Sequence, residues 1–192
     1  LPVSSNENNE SYMSLSPDGK YLAFVRGDDA NKHIWIKELQ SGKEVRLTSE
    51  DSNYNVLAWS PNGSAIAFMH YDENVQQRAM AYLSLDLIAL KPLEQTLVYH
   101  FPEVHISGNQ LQWSHENKIY FVEWNKQNSD TWLSNIDLTT NTKHRVQKSV
   151  GQDWLLTFAL SPDHQQMALG YEVGQNRYRV VLFDVNNLKT KS

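Results

Sequence analysis

Short apolar segments alternate with polar turns along the whole chain, and their length is typical of β-strands. Two examples are residues 21–25, which read Tyr-Leu-Ala-Phe-Val, and residues 65–69, which read Ala-Ile-Ala-Phe-Met. No stretch of a dozen residues carries apolar side chains at the 3.6-residue spacing of an amphipathic helix. Residues 72–82 are the best helical candidate, but they lack a pair of cap residues, so we expect a long inter-strand loop there. The pattern therefore predicts an all-β fold.

One four-residue turn motif divides these segments into four repeats. It reads Ser16-Pro17-Asp18-Gly19, Ser60-Pro61-Asn62-Gly63, Ser114-His115-Glu116-Asn117 and Ser161-Pro162-Asp163-His164. The last position of such a turn favours a positive φ, which glycine accepts freely and which Asn and His tolerate better than most residues. We therefore expect positive φ at Gly19, Gly63, Asn117 and His164. Recurrence at a period of roughly 40–50 residues indicates a repeat architecture.

Each repeat has the pattern of four short antiparallel strands in a meander, which is one blade of a β-propeller. The four blades are expected at approximately residues 10–48, 55–101, 110–148 and 156–186 of a single propeller segment over residues 1–192. Ser192 comes before any recognisable fourth strand of the last blade. We expect an open arc cut from a larger propeller, so either its exposed blade faces form a dimer or the parent chain carries more repeats. In the alternative, residues 1–4 pair with the last blade and close a four-bladed ring.

Composition narrows the functional classes. The chain has 192 residues, a formal net charge of −5 and no cysteine. The absence of cysteine excludes a disulfide scaffold, a cysteine zinc site and a thiol nucleophile. The acidic balance argues against direct nucleic-acid contact, which needs clustered Lys and Arg. No apolar run approaches the ~20 residues that a membrane-spanning helix requires.

No catalytic, metal or cofactor motif emerges from the spacing of the reactive side chains. The chain lacks the Gly-x-Ser-x-Gly elbow of α/β-hydrolases and any glycine-rich phosphate loop. His100 and His105 flank Pro102, which disfavours helical ligand spacing. His70 and Asp72 would share one face of a strand, and a structural pair is the preferred interpretation. We therefore expect no enzyme activity, no metal ion and no cofactor.

The tryptophans divide into two groups. Four recur at equivalent repeat positions, which favours packing between blades: Trp35 with Trp132, and Trp59 with Trp113. Trp124 and Trp154 do not recur, and each lies beside a polar connection. Aromatic side chains on propeller loops are plausible contact residues. Trp124 and Trp154 are the two candidate binding residues, with partial burial under a loop as the alternative.

The repeats resemble a known family at this point. Residues 16–24, 34–39 and 46–48 carry the order Ser-Pro-Asp-Gly-Lys-Tyr-Leu-Ala-Phe, Ile-Trp-Ile-x-x-Leu and Arg-Leu-Thr, which is similar to TolB-like, WD-repeat-like β-propellers. The resemblance implies a non-catalytic ligand- or protein-binding domain in a periplasmic or extracytoplasmic setting. That setting is either a TolB-like periplasmic protein or the sensory domain of a membrane-anchored transcriptional regulator of the CadC/ToxR type. The alternative is the non-catalytic gating propeller of a prolyl-oligopeptidase-like serine peptidase.

Overall fold

A computed structural model describes residues 9–28, 31–49, 52–101, 105–125, 129–149, 153–174 and 176–190, with backbone alone at 105–109. The described residues form sixteen β-strands in four separate four-stranded antiparallel sheets. In each sheet the strand order in space follows the order in sequence, which is the meander of a propeller blade. The predicted all-β fold with four blades is confirmed.

The strand bounds are as follows. Blade 1 consists of β1 (Glu10–Leu15), β2 (Tyr21–Arg26), β3 (His33–Glu38) and β4 (Glu44–Arg46). Blade 2 consists of β5 (Asn55–Trp59), β6 (Ala65–Asp72), β7 (Gln77–Asp86) and β8 (Lys91–Phe101). Blade 3 consists of β9 (His105–Trp113), β10 (Lys118–Trp124), β11 (Thr131–Asp137) and β12 (Thr142–Lys148). Blade 4 consists of β13 (Trp154–Leu160), β14 (Gln166–Glu172), β15 (Tyr178–Asp184) and β16 (Lys189–Thr190).

Contacts divide the chain into two compact units, Leu1–Pro102 and Glu103–Ser192. Unit 1 holds blades 1 and 2, which pack through β1 and β5. Its core is built from alternating apolar positions such as Ile34, Ile36 and Phe68. Unit 2 holds blades 3 and 4, which pack through β9 and β13 around residues that include Leu133 and Phe183. The single propeller segment over residues 1–192 stays a prediction.

The repeated turn has the backbone that its sequence predicts. The φ values at its last position are +70° at Gly19, +72° at Gly63, +60° at Asn117 and +58° at His164. The serine at the first position explains why the motif recurs. In blade 1 the Ser16 hydroxyl donates to Asp18 (2.7 Å) and accepts from the Tyr21 N–H (2.9 Å), so one side chain closes the turn and starts the next strand.

The expectation that the last blade lacks a fourth strand is wrong. The two-residue strand β16 pairs with β15, joining Phe183 to Thr190 and Asp184 to Lys189. The Asp184 carboxylate accepts hydrogen bonds from the backbone N–H groups of Asn186 and Asn187, and Leu188 adopts φ +53°. These features form a tight hairpin turn that reverses the chain. The strand after the turn has no apolar segment, so the sequence pattern did not predict it.

The loop expected over residues 72–82 is also a wrong prediction. Only residues 73–76 form a turn, and β7 begins at Gln77. Ala79 and Met80 are fully buried in β7, whereas Arg78 is exposed. The polar residues therefore extend an ordinary hairpin rather than a loop.

Two further expectations have different outcomes. Of the four recurring tryptophans, Trp59 and Trp113 are buried as expected. Trp35 and Trp132 are only half-buried, and the guanidinium groups of Arg26 and Arg145 lie over their rings. The Trp59 indole N–H also donates to the carbonyl of Ser14 in the neighbouring blade (2.9 Å). Residues 1–4 lie outside the described residues, so the open arc, the closed ring and the dimer stay predictions.

Candidate functional site

The two candidate tryptophans, predicted separately, lie side by side in unit 2. Trp124 is the last residue of β10 and Trp154 is the first residue of β13. Both positions are at the end of the blades opposite the repeated turn. The ring centroids are 5.8 Å apart with an interplanar angle of 37°. Trp154 is 37% exposed, so the pair presents aromatic surface to solvent.

Thr131 fixes the backbone beneath this pair. It lies opposite Trp124 in the β10–β11 ladder, and the whole residue is buried. Its hydroxyl accepts a hydrogen bond from the N–H of Leu155 at 2.9 Å, which joins blade 3 to blade 4. One buried threonine therefore sets the separation of the two strand ends that carry the tryptophans.

An ion pair in blade 4 involves Asp153, the residue before Trp154. Arg179 donates to the Asp153 carboxylate at 2.5 Å, and its guanidinium lies 5.7 Å from the centre of the Tyr171 ring. Burial is the main cause that raises the pKa of Tyr171, so this ring is neutral at physiological pH. About half of the Arg179 side chain is exposed, and Tyr178 beside it is mostly exposed. Asp153 and Tyr171 therefore hold the Arg179 guanidinium in place.

Sequence reasoning did not identify the cluster of Arg179, Asp153 and Tyr171 that adjoins Trp154 in the chain. Arg179 and Tyr171 form the register pair Tyr171–Arg179 of β14 and β15, directly beside the Leu155–Tyr171 pair. The sequence pattern predicts the strands that contain both residues. It does not predict the pairing register that brings Arg179 to Asp153, because that register depends on the length of the hairpin between the strands. No local motif carries that information.

The histidines take structural positions. His100 Nε2 lies 2.9 Å from Asp72 Oδ2, and this hydrogen bond is the main cause that lowers the pKa of Asp72. His70 instead stacks on Tyr54, with ring centroids 6.0 Å apart. The Asp72 carboxylate thus pairs with His100, where the sequence suggested a structural pair with His70. The side chain of His105 lies outside the described residues.

Within the described part of the chain, no three or more His, Asp or Glu side chains come together in a way that would hold a metal ion. Among the same residues, no helix has the length and apolar character needed to cross a membrane.

A family model matches the first half of this chain. The model of the dipeptidyl peptidase IV (DPP IV) N-terminal region matches residues 2–104. The chain belongs to this family. Because the match covers unit 1, the family assignment rests on blades 1 and 2 and their connection.

Solved structures resemble both units. TolB from Acinetobacter baumannii aligns with a TM-score of 0.72 and 16% identity, over 98% of this chain and 44% of that one. An oligogalacturonate lyase from Vibrio parahaemolyticus aligns with a TM-score of 0.73 and 16% identity, over 98% and 54%. A putative dipeptidyl aminopeptidase IV from Bacteroides ovatus aligns with a TM-score of 0.64 and 10% identity, over 93% and 32%.

These likenesses confirm the predicted TolB-like β-propeller repeats and extend them to the propellers of peptidases. The chain spans about half or less of the length of these proteins. At such low sequence identity the likeness concerns the fold, because one propeller fold serves many unrelated activities.

Proposed function

We propose that the chain is a non-catalytic binding or sensory propeller domain that recognises a ligand or protein through the Trp124–Trp154 site. Its setting is the extracytoplasmic part of a CadC/ToxR-type regulator or a TolB-like periplasmic protein. The observation that carries the proposal is the partly exposed pair of indole rings, 5.8 Å apart, with Arg179 ion-paired to Asp153, the residue before Trp154. Exposed tryptophan and arginine are the residue types that most often dominate binding interfaces.

A ligand screen tests the site. Candidate small molecules and peptides are assayed for a rise in the midpoint of thermal unfolding, which a ligand that binds only the folded state produces. We expect a ligand shift that disappears in Trp154→Ala and persists in Leu93→Ala, a matched control at another exposed apolar side chain in unit 1. A shift that survives Trp154→Ala unchanged would place recognition elsewhere.

A turnover assay tests the absence of catalysis. The purified chain is incubated with peptide, ester and glycoside substrates, with divalent metals supplied. We expect no turnover that follows the folded protein through purification. Reproducible turnover that co-purifies with it would overturn the non-catalytic role.

A second candidate is the gating propeller of a prolyl-oligopeptidase-like serine peptidase. Membership of the DPP IV N-terminal region family favours it. The sequence of the parent gene separates the two candidates. A hydrolase domain with a Gly-x-Ser-x-Gly elbow downstream supports the gating role, whereas a winged helix and one membrane span upstream support the sensory role.

A further inference from the structure

Neighbouring blades pack in the same way in both units. In unit 1, the face of blade 1 that carries Ile34 and Ile36 packs against the face of blade 2 that carries Leu57 and Trp59. We call the first the leading face of a blade and the second the trailing face. In unit 2, the leading face of blade 3 packs in the same sense against the trailing face of blade 4, around Phe158. Both contacts therefore join a leading face to a trailing face.

The leading face of blade 4 is uncovered. Strand pairing puts Val180 and Leu182 at the positions equivalent to Ile34 and Ile36. Both side chains are exposed, and Tyr178, which alternates onto the same face of β15, is mostly exposed too. A contiguous apolar face that meets water marks an interaction surface.

The trailing face of blade 1 is uncovered as well. Met13 and Leu15 occupy the positions that Leu57 and Trp59 hold in blade 2, immediately before the repeated turn. Met13 is 68% and Leu15 is 56% exposed, whereas Leu57 and Trp59 are at most 8% exposed. The described residues thus include both halves of the contact that joins blades within each unit, one on blade 4 and the other on blade 1.

The two uncovered faces also carry opposite charges. Glu172 pairs with Tyr178 in the β14–β15 ladder, which puts its carboxylate on the leading face of blade 4. Arg46 pairs with Trp35 in the β3–β4 ladder, and Trp35 pairs with Phe24 on the trailing face of blade 1. Opposite charges favour contact between these two different faces, whereas contact between two copies of one face would bring like charges together.

We propose that the leading face of blade 4 binds the trailing face of blade 1 on a second copy of this chain. Met13 and Leu15 of one copy then cover Val180 and Leu182 of the other. Because the contact joins two different surfaces, it is heterologous and links copies into a closed ring or an open series. It does not depend on ligand recognition at the Trp124–Trp154 site.

Sedimentation velocity of the 192-residue chain tests the association. We expect the weight-average mass to rise above the 22.2 kDa of one chain as the concentration increases through the micromolar range. A wild-type chain that stays monomeric throughout this range would overturn the proposal, since a second copy would then not be what covers these faces.

Two charge variants assign the contact to its faces. Val180→Asp alters the leading face of blade 4 and Met13→Asp alters the trailing face of blade 1, and both side chains are exposed enough for the fold to tolerate the change. Each variant is expected to weaken association at least about tenfold, because the contact would bury an unpaired charge. Ile88→Asp is the matched control, since Ile88 is fully exposed in the turn between β7 and β8. Circular dichroism checks that each variant is folded.

A mixture of the two variants distinguishes this contact from one between identical faces. Each variant keeps the face that the other has lost, so an equimolar mixture should form a dimer with one chain of each kind, although neither variant associates alone. Contact between identical faces would leave one variant associating as the wild type does, with no gain on mixing. Either of those results, or an equal loss of association in Ile88→Asp, would overturn the proposal. All three variants leave Trp124 and Trp154 unchanged, so the ligand screen reports on that site separately.

Discussion

Substitution of Gly19 isolates the backbone requirement of the repeated turn. Gly19 has φ +70°, and a Cβ atom added there would meet no heavy atom within 4 Å. Its N–H donates to the Ser16 carbonyl oxygen at 2.9 Å, a bond that any residue at this position retains. A side chain therefore changes the conformational energy of the turn and little else, which makes the cost calculable.

The magnitude follows from the left-handed conformation. For an ordinary L-residue this region costs about 1–2 kcal/mol, and it costs less for Asn, which occupies the same place in blade 3 with φ +60°. A β-branched residue is worse, at about 2–3 kcal/mol. Replacing glycine also reduces the entropy of the unfolded chain, but this gain is similar for both variants and cancels in their difference. We expect Gly19→Val to be less stable than Gly19→Asn by about 1–2 kcal/mol.

Urea unfolding followed by circular dichroism measures this difference, and hydrogen exchange at the β2 amides reports it within blade 1. Two readouts are needed because units 1 and 2 need not unfold together. Gly19→Ala should fall between the two variants. If Gly19→Val and Gly19→Asn agreed within about 0.5 kcal/mol in both readouts, the left-handed φ would not be what selects glycine here.

Two further predictions concern unit 2. Burial is the main cause that lowers the pKa of His164, and the nearby His115 lowers it further, whereas Asp163 raises it. The His164 Nδ1 atom accepts a hydrogen bond from the backbone N–H of His115 at 3.1 Å. The neutral form is therefore favoured in the fold, and its stabilisation is complete above about pH 6.5 and is lost as the pH falls below that value. His164→Asn should flatten the stability profile between about pH 7 and 5 in thermal unfolding, and an unchanged profile would contradict the assignment. Thr131→Val leaves the Leu155 N–H without its acceptor and should lower the free energy of unfolding in urea by about 1–3 kcal/mol. Thr131→Ser keeps the hydroxyl and should lower it by about 1 kcal/mol or less. Equal losses of stability in the two variants would exclude the hydrogen bond as the cause.

The turns were predictable because their physics is local. Ser16, Asp18 and Gly19 lie within four residues of one another, and the hydrogen bonds and φ value they require close inside that segment. Asn117 and His164 show that the conformational requirement survives when the glycine is replaced. A pattern that depends on neighbouring residues alone can be identified in any copy, including the degenerate third one.

The features that sequence reasoning missed depend on pairing between strands. Strand β16 is only two residues long and wholly polar, so no apolar alternation marks it. Its existence follows from the Asp184 turn, an arrangement that Asp86 and Asp137 repeat by accepting backbone N–H groups two and three residues later. In the sequence, each of these acids precedes an aliphatic residue at the end of the third strand of its blade, as in Asp86-Leu87 and Asp137-Leu138. That pattern does not reveal that the acid is the acceptor that closes the following hairpin. Arg179 was missed for a similar reason, since its contact with Asp153 depends on register.

Blade 4 shows where a local pattern stops determining burial. Val180 and Leu182 pair with Gly170 and Ala168, just as Ile34 and Ile36 pair with Val25 and Ala23 in blade 1. The two isoleucines are at most 1% exposed because blade 2 covers them, whereas Val180 is 72% and Leu182 is 48% exposed. In a repeat protein, a blade buries an apolar face only where a neighbouring blade covers it. Apolar alternation therefore predicts which face is suited to burial, but it does not predict whether a neighbouring blade is present to cover that face. The same sequence signal therefore yields a core in blade 1 and an exposed apolar face in blade 4.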